Sequence, residues 1–397
     1  MESSVEFAPT KAEIAGRLAA VAARAAKQGM QALVVLEPAN IYYLSGFRTT
    51  LYTRFMAVAL RTDAPDAAML IATSVDRPLA LEPFWFPSLL DRTEIYYLGA
   101  PEGGTLVNNP GPLLDQIVHD GDVVGIDLAG ASYGHVQLLL ARHPMLHLRD
   151  ATNVLHAVRR VKSASELAAL RAANALAVRA MARVPALLHT GLSEIELAAA
   201  LDGTAREGGA DGFAYPTLIG FGPKSLAPHA PPTKRRLERD AMVTIAFGPT
   251  VAGYCADLVR TFFHGAPPTV ATESGERCVE VQAAALKAVR AGVRAGDLML
   301  AARAVIARYD PDAPASGSAG HSLGLTIHET PTLTADNDLR LEPGMVLAIE
   351  PRQPATAMDG IGLYRHCDVV QVTTDGYEVL TPLDRGLVVA PISSGSV

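Results

Sequence analysis

Apolar and polar residues recur along this chain in two rhythms, one helical and one strand-like. Thr10 and Glu13 stand three apart, the spacing at which an N-cap hydroxyl and a carboxylate satisfy each other's backbone amides, and Ile14, Leu18, Val21 and Ala25 then repeat at helical intervals. The pattern predicts a first helix ending near Gly29. Short β-rich runs follow, ALVVL, FMAVALR, AAMLIA and DVVGID, set apart by Pro, Gly and Asp turns and by a helical stretch at HVQLLLARH. This first part reads as α/β.

A second organisation begins near Leu155. Ser163 with Glu166 repeats the capping spacing at the head of a long amphipathic stretch, and Ser193 with Glu196 opens another through LAAALDGTARE. ERCVEVQAAALKAVRAG and LMLAARAVIARYD predict two later helices, whereas MVTIAFG, GYCADLVRTFF, MVLAIEP and DVVQVTT predict strands. Helices mixed with antiparallel-looking strands point to an α+β half.

Composition narrows the class. The chain has 397 residues, enough for two or three domains, with 34 Lys and Arg against 41 Asp and Glu and a net charge of −7. A negative whole argues against a nucleic-acid surface, and the basic run KRRLER at 234–239 reads as a solvated loop. No apolar stretch approaches the roughly 20 residues of a membrane span, and MESSVEFAPT lacks the basic-then-apolar order of a secretion signal. Three cysteines, Cys255, Cys278 and Cys367, are too few and odd in number for a disulfide framework, so a reducing, cytoplasmic setting is expected.

Candidate chemistry sits in the second half: His229 in PHAPPTKRRLERD, Asp257 in GYCADLVRT, His321 and His328 in GHSLGLTIHETP, Glu350 in MVLAIEP, and His366, Cys367 and Asp368 in YRHCD. Glu350 follows an apolar strand, where a carboxylate is either exposed at the strand end or paired in a site, because burying it unpaired is costly. GHSLG also fits the nucleophile elbow with Ser322 as nucleophile, but that motif needs an apolar strand before it and a helix after it. PDAPASGSA precedes it and TIHETPTL follows, so the serine-hydrolase reading fails at both ends. His328-Glu329 is no zinc-binding helix either, since Thr332 stands where the second histidine belongs.

Taken together, GYCADLVRT, GHSLGLTIHETP, EPGMVLAIEP and DVVQVTTDGYEVLT, with His229 ahead of a Pro-rich loop, resemble the methionine aminopeptidase, aminopeptidase P, prolidase and creatinase superfamily. The resemblance implies a pita-bread catalytic domain over 158–397 and an α/β creatinase/prolidase-type N-terminal domain over 1–157. Metallopeptidases of this superfamily hold two metal ions through Asp, Asp, His, Glu and Glu, donors suited to a pair of divalent ions. Carried over position by position, the second Asp is Asp257, the His is His321 and the first Glu is Glu350. The first Asp falls on Ala246 and the last Glu on Cys367. Ala cannot ligate, so a two-metal peptidase is disfavoured.

Three readings remain for these residues: one divalent ion, zinc or manganese, held by Asp257, His321, Glu350 and Cys367; metal-free acid–base chemistry as in creatinase; or a non-catalytic scaffold. The likeness to creatinase implies that His229 is the general acid/base, a role suited to an imidazole near neutral pH. It also implies that Tyr52 and Arg54, in NIYYLSGFRTTLYTRFMAVAL, reach a partner subunit's site, with Arg54 gripping a substrate carboxylate. The tyrosine and glutamate with which creatinase reads a guanidinium fall on Cys255 and Val259, and its arginine on Thr332, which disfavours creatine. The aromatic-rich loop of ectoine hydrolase is likewise absent around Phe47 to Arg54.

The joint presence of His229, Asp257, His321, Glu350 and Arg54 favours an enzyme over a scaffold. The reading this supports is a homodimeric, metal-independent, creatinase-like hydrolase with no cofactor, cleaving an amide or amidine C–N bond of a small carboxylated substrate. His229 shuttles the proton, Glu350 and Asp257 hold water or the substrate nitrogen, His321 lines the site, and His328, Cys255, Val259 and Cys367 shape the pocket with Tyr52 and Arg54. A one-metal Xaa-Pro aminopeptidase or prolidase-like peptidase is the alternative.

Overall fold

All three capping boxes form. Thr10 accepts the Glu13 amide at 3.2 Å while the Glu13 carboxylate accepts the Thr10 amide at 2.8 Å, and the helix Lys11–Lys27 buries Ile14, Leu18, Val21 and Ala25. Ser163 and Ser193 open the helices Ala164–Ala182 and Glu194–Glu207 in the same way. These starts are legible because every group involved lies within one turn. The computed structural model describes residues 5–50, 54–97, 109–312, 317–351 and 361–390. The chain divides into two compact units, one over Ala8–Arg159 and the other comprising the rest.

The N-terminal unit is built on a six-stranded sheet of β1 (Ala32–Val35), β2 (Ala57–Arg61), β3 (Ala64–Thr73), β4 (Arg92–Tyr96), β5 (Val123–Ile126) and β6 (His147–Asp150), in the order β4-β3-β2-β1-β5-β6. The apolar runs became the central strands. The two edge strands, RTEIY and HLRD, carry one buried residue between them and so lack the apolar signature that marks a strand. Asp127, fully buried after β5, accepts the amides of Leu36 and Glu37 at 2.7 and 2.9 Å and the Asn40 side chain at 3.1 Å, which fixes the start of the helix Pro38–Ser45. Burial pushes its carboxyl up to about 6 against the pull of these donors.

The second unit holds β7 (Gly212–Phe213), β8 (Leu218–Phe221), β9 (Ala241–Phe247), β10 (Pro249–Val251), β11 (Tyr254–Cys255), β12 (Leu258–His264), β13 (Ser318–Ser322), β14 (Glu329–Thr334), β15 (Val346–Ile349), β16 (Asp368–Val372), β17 (Tyr377–Val379) and β18 (Val388–Ala390). They form sheets of order β18-β12-β9-β8, β14-β13-β15-β16-β17 and β11-β10-β7. The helices Ala164–Ala182 and Glu194–Glu207 share one core with β8, β9 and β12, and the helices Thr269–Ala288 and Ala295–Tyr309 share another with β13, β15 and β16. A backbone bridge between Val259 and Cys367 ties the two half-cores together. This is the expected pita-bread arrangement, an α+β domain following an α/β one.

One predicted strand is two. GYCADLVRTFF breaks after Cys255, and Ala256 and Asp257 lie between β11 and β12. Ala252 and Gly253, with φ of 48° and 76°, turn the chain from β10 into β11, and the Ala256 amide bonds back to Pro249, so the hairpin closes before β12 begins. Asp257 is thereby presented at the mouth of a strand. Gly320 matters for close approach instead, since a Cβ there would collide with the Ala348 carbonyl and only glycine lets β13 lie against β15 at this point.

Candidate functional site

Four positions converge on one face. Ala246 on β9 pairs with Val259 on β12, and Val259 is bridged to Cys367 just before β16, so these three side chains form a row across the strands. Asp257 is two residues from Val259 and shares its face. Arg260, fully buried on the opposite face, fixes the row: its Nη1 donates to the Val259 and Cys367 carbonyls at 2.9 and 2.8 Å, and its Nη2 pairs with Asp368. Asp368 also pairs with Arg385. It is thus a structural carboxylate.

Asp257 is the hub. Its Oδ1 accepts the Tyr215 hydroxyl at 2.7 Å, while Oδ2 lies 3.6 Å from His321 Nε2 and 3.8 Å from the Cys367 thiol. Burial, reinforced by Asp257, Glu350 and Asp368, pushes the Cys367 thiol well above its ordinary range, so it stays protonated near neutral pH. Glu350 lies just past β15, paired with Arg365, which rides two residues before Cys367. Burial raises the Glu350 carboxyl despite the guanidinium, with the Asp257 charge acting in the same direction. Tyr215 is raised well above the usual phenol range, by burial first and by Asp257 second.

Two histidines complete the surface facing this hub. The rings of His321 and His328 meet edge to face with centroids 4.3 Å apart, and His321 Nδ1 lies 3.1 Å from the Ser322 carbonyl. Desolvation, with His321 and His229 nearby, lowers the His328 imidazole, while Asp257 opposes. His229 is exposed in a turn following Gly222–Leu226. Its loop is clamped by Glu194, fully buried, which accepts the amides of Phe221 and Thr233 at 3.0 and 2.8 Å, the Thr233 hydroxyl at 2.7 Å and the Lys224 ammonium at 2.6 Å.

Other residues singled out in the sequence lie apart. Cys255 is buried in the hairpin with its amide on the Gly324 carbonyl, whereas Val259 stands in the row between Ala246 and Cys367. Thr332 is exposed on β14. Arg54 belongs to the N-terminal unit, exposed, and its charge is felt by Tyr96; Tyr52 lies outside the described residues. His366 points away from its neighbours Arg365 and Cys367, buried against Tyr364, and desolvation lowers its imidazole to about 3. Ser322 is buried at the end of a strand with its hydroxyl on the Val346 carbonyl at 3.0 Å and no helix behind it, which disposes of the elbow. Tyr215 and Arg365 escaped the sequence reading. Alternation along YRHC puts Arg365 on the Cys367 side and was a usable signal; Tyr215 had none.

A creatinase/prolidase-type domain followed by a pita-bread domain defines a class of two-domain hydrolases. The chain belongs to metallopeptidase family M24, whose pattern matches residues 168–374, and the Creatinase/Prolidase N-terminal domain matches residues 17–161. The structure of dipeptidase PepE from Mycobacterium ulcerans superposes with a TM-score of 0.83 at 28% identity, covering 97% of this chain and all of that one. A protein of Staphylococcus aureus (strain USA300), named as an uncharacterized peptidase, is 26% identical over 358 residues, 90% of this chain and 96% of its own length. The prolidase of Pyrococcus horikoshii OT3 shares the fold, with a TM-score of 0.82 at 24% identity over 94% of this chain and all of that one.

These findings overturn two expectations, the creatinase-like, metal-independent hydrolase of amides or amidines and the absence of a cofactor. Both rested on reading the loss at 246 and 367 as loss of metal chemistry. The family is one of metallopeptidases, and of the surviving donors His321 still meets Asp257. Donors of one tetrahedral ion bonded at about 2.0–2.3 Å lie roughly 3.3–3.8 Å apart, close to the spacing of Asp257 Oδ2 from His321 and Cys367. Asp257, His321 and Cys367 stand at the spacing of one ion's donors. They do not fit two, because Ala246 offers none. Among the described residues, no group of three or more His, Cys, Asp or Glu side chains is placed to hold a metal ion, and Glu350 is engaged by Arg365.

Proposed function

We propose that this protein is a metal-dependent peptidase acting on short peptides, with one divalent ion held by Asp257, His321, Glu350 and Cys367. The convergence of His321 and Cys367 on Asp257 Oδ2, within an M24 fold shared over nearly the whole chain with a dipeptidase, carries the reading. Such an ion supplies a Lewis acid for a peptide carbonyl and a site for acidified water. The chain's own residues do the rest. Tyr215 orients Asp257; Arg365 neutralises Glu350 until the carboxylate is needed; His328 and His229 offer imidazoles for holding or moving a proton at the scissile nitrogen. Because the Cys367 thiol is protonated, its engagement with an ion releases a proton, so affinity rises with pH.

A dipeptide carries a free carboxylate, and Arg54 is the candidate to hold it, completing the site of a partner subunit in a homodimer. The test is hydrolysis of a dipeptide panel, including Xaa-Pro members, by protein stripped with chelator and reloaded with Zn²⁺ or Mn²⁺. Restored cleavage is expected. Undiminished hydrolysis by the stripped protein would sink the reading.

A further inference from the structure

Lys162 is entirely buried and none of its charge meets water. Its ammonium has three protons and finds three acceptors: Glu329 Oε2 at 3.1 Å, Ser322 Oγ at 3.4 Å and the Arg160 carbonyl at 3.3 Å. Glu329 is spent in turn, with Oε1 accepting the Thr326 amide at 3.3 Å, and Ser322 passes its own proton to Val346. All three ammonium protons are thus met, as a buried ion pair requires to offset desolvation. Its location is the informative part. Ser322 follows His321 directly, and Glu329 follows His328 directly.

The strands carrying those histidines are unequally secured. β13 lies in continuous register with β15 on one side, Gly320 to Ile349 through Ser322 to Leu347. On its other side β14 is the edge of the sheet, and its pairing with β13 shifts register between Ser318 and His321 and again between His321 and Ser322. A ladder interrupted in this way does not specify where His328 stands relative to His321. Gly324 leaves no slack in the connection, since a Cβ there would meet Glu329 Oε1 at 2.7 Å.

We propose that Lys162 is a positioning residue for the His321–His328 pair, pinning Ser322 and Glu329 together so that the two imidazoles face the same reacting group. The assignment rests on the reading that these histidines serve the peptidase site. It places a determinant of the site just ahead of the helix Ala164–Ala182, far from the motifs that carry the histidines.

The test uses the full chain as wild type, Lys162→Met, and Lys162→Met with Glu329→Gln, the last leaving no unpaired buried charge should the single variant fail to fold. Histidine-labelled protein is compared by NMR at one pH, reading the mutual ring-current shifts of His321 and His328, beside kcat and KM for Ala-Pro and Ala-Ala with Zn²⁺. Loss of those shifts in a folded variant, with kcat down at least tenfold and KM within about twofold, is the expected result. Ring shifts that persist in the folded double variant would overturn the assignment. Should the wild type cleave neither dipeptide with either metal, the peptidase reading falls, and the ring shifts still decide the role of Lys162.

Discussion

Tyr215 donates its hydroxyl to Oδ1 of Asp257 at 2.7 Å and so leaves Oδ2 alone to face His321 and Cys367. A hydrogen bond to a carboxylate is worth about 1.5–3 kcal/mol, and partners of a metal ligand typically govern about 10–100-fold in affinity or rate. Tyr215→Phe is therefore expected to weaken Zn²⁺ binding and dipeptide hydrolysis by one to two orders of magnitude with little change in Tm, as read by calorimetric titration and initial rates. Unaltered metal affinity would show that Asp257 needs no orienting partner.

Restoring the missing donors is expected to restore the second ion. Ala246→Asp with Cys367→Glu places carboxylates in the same row as Asp257, and elemental analysis of the reloaded protein should rise from one ion per chain to two. A count that stays at one would mean that backbone positions, rather than donor identity, limit the site.

Glu194 holds the loop of His229 from a position the solvent never reaches. Glu194→Gln keeps the shape but cannot pair with Lys224 or accept at both oxygens, a loss of about 3–5 kcal/mol when a buried pair is broken. The expected outcome is a marked fall in Tm together with early proteolysis between Gly222 and Thr233. Cleavage elsewhere first would separate the loop from Glu194.

Asp127 binds its proton more tightly in the fold than in the open chain, because burial lifts its carboxyl from 3.8 to about 6. Its contribution to stability is thus fully present below about pH 4 and lost as pH rises through 6. Thermal melts of wild type and Asp127→Asn between pH 4 and 7 should show the wild type's advantage shrinking with pH. A constant difference would mean that the donors of Leu36, Glu37 and Asn40 balance burial, and a growing one that they outweigh it.

Local chemistry was legible in the sequence and distant chemistry was not. Capping boxes, central strands and the motif residues Asp257, His321 and Glu350 could be placed because their signals lie within a few positions of one another. Tyr215 reaches Asp257 from 42 residues away through the hairpin of β10 and β11, a contact that no spacing encodes. The split of GYCADLVRTFF depended on a positive φ at Ala252, a residue type that gives no warning of it. The reading of metal chemistry erred for another reason: it counted absent ligands without knowing that His321 and Cys367 both meet one oxygen of Asp257. No helix among the described residues is long and apolar enough to cross a membrane, in keeping with the absence of such a stretch in the sequence.

The row of Ala246, Val259 and Cys367 also bears on how the empty protein holds together. Carboxylates at both ends of that row, beside Asp257, would repel one another whenever no cation lay between them. An alanine and a protonated thiol lessen that repulsion, leaving only that between Asp257 and Glu350, which Arg365 offsets. If the proposed ion is bound, the fold does not depend on it to hold those two positions together, and loss of metal is expected to lower activity more than Tm.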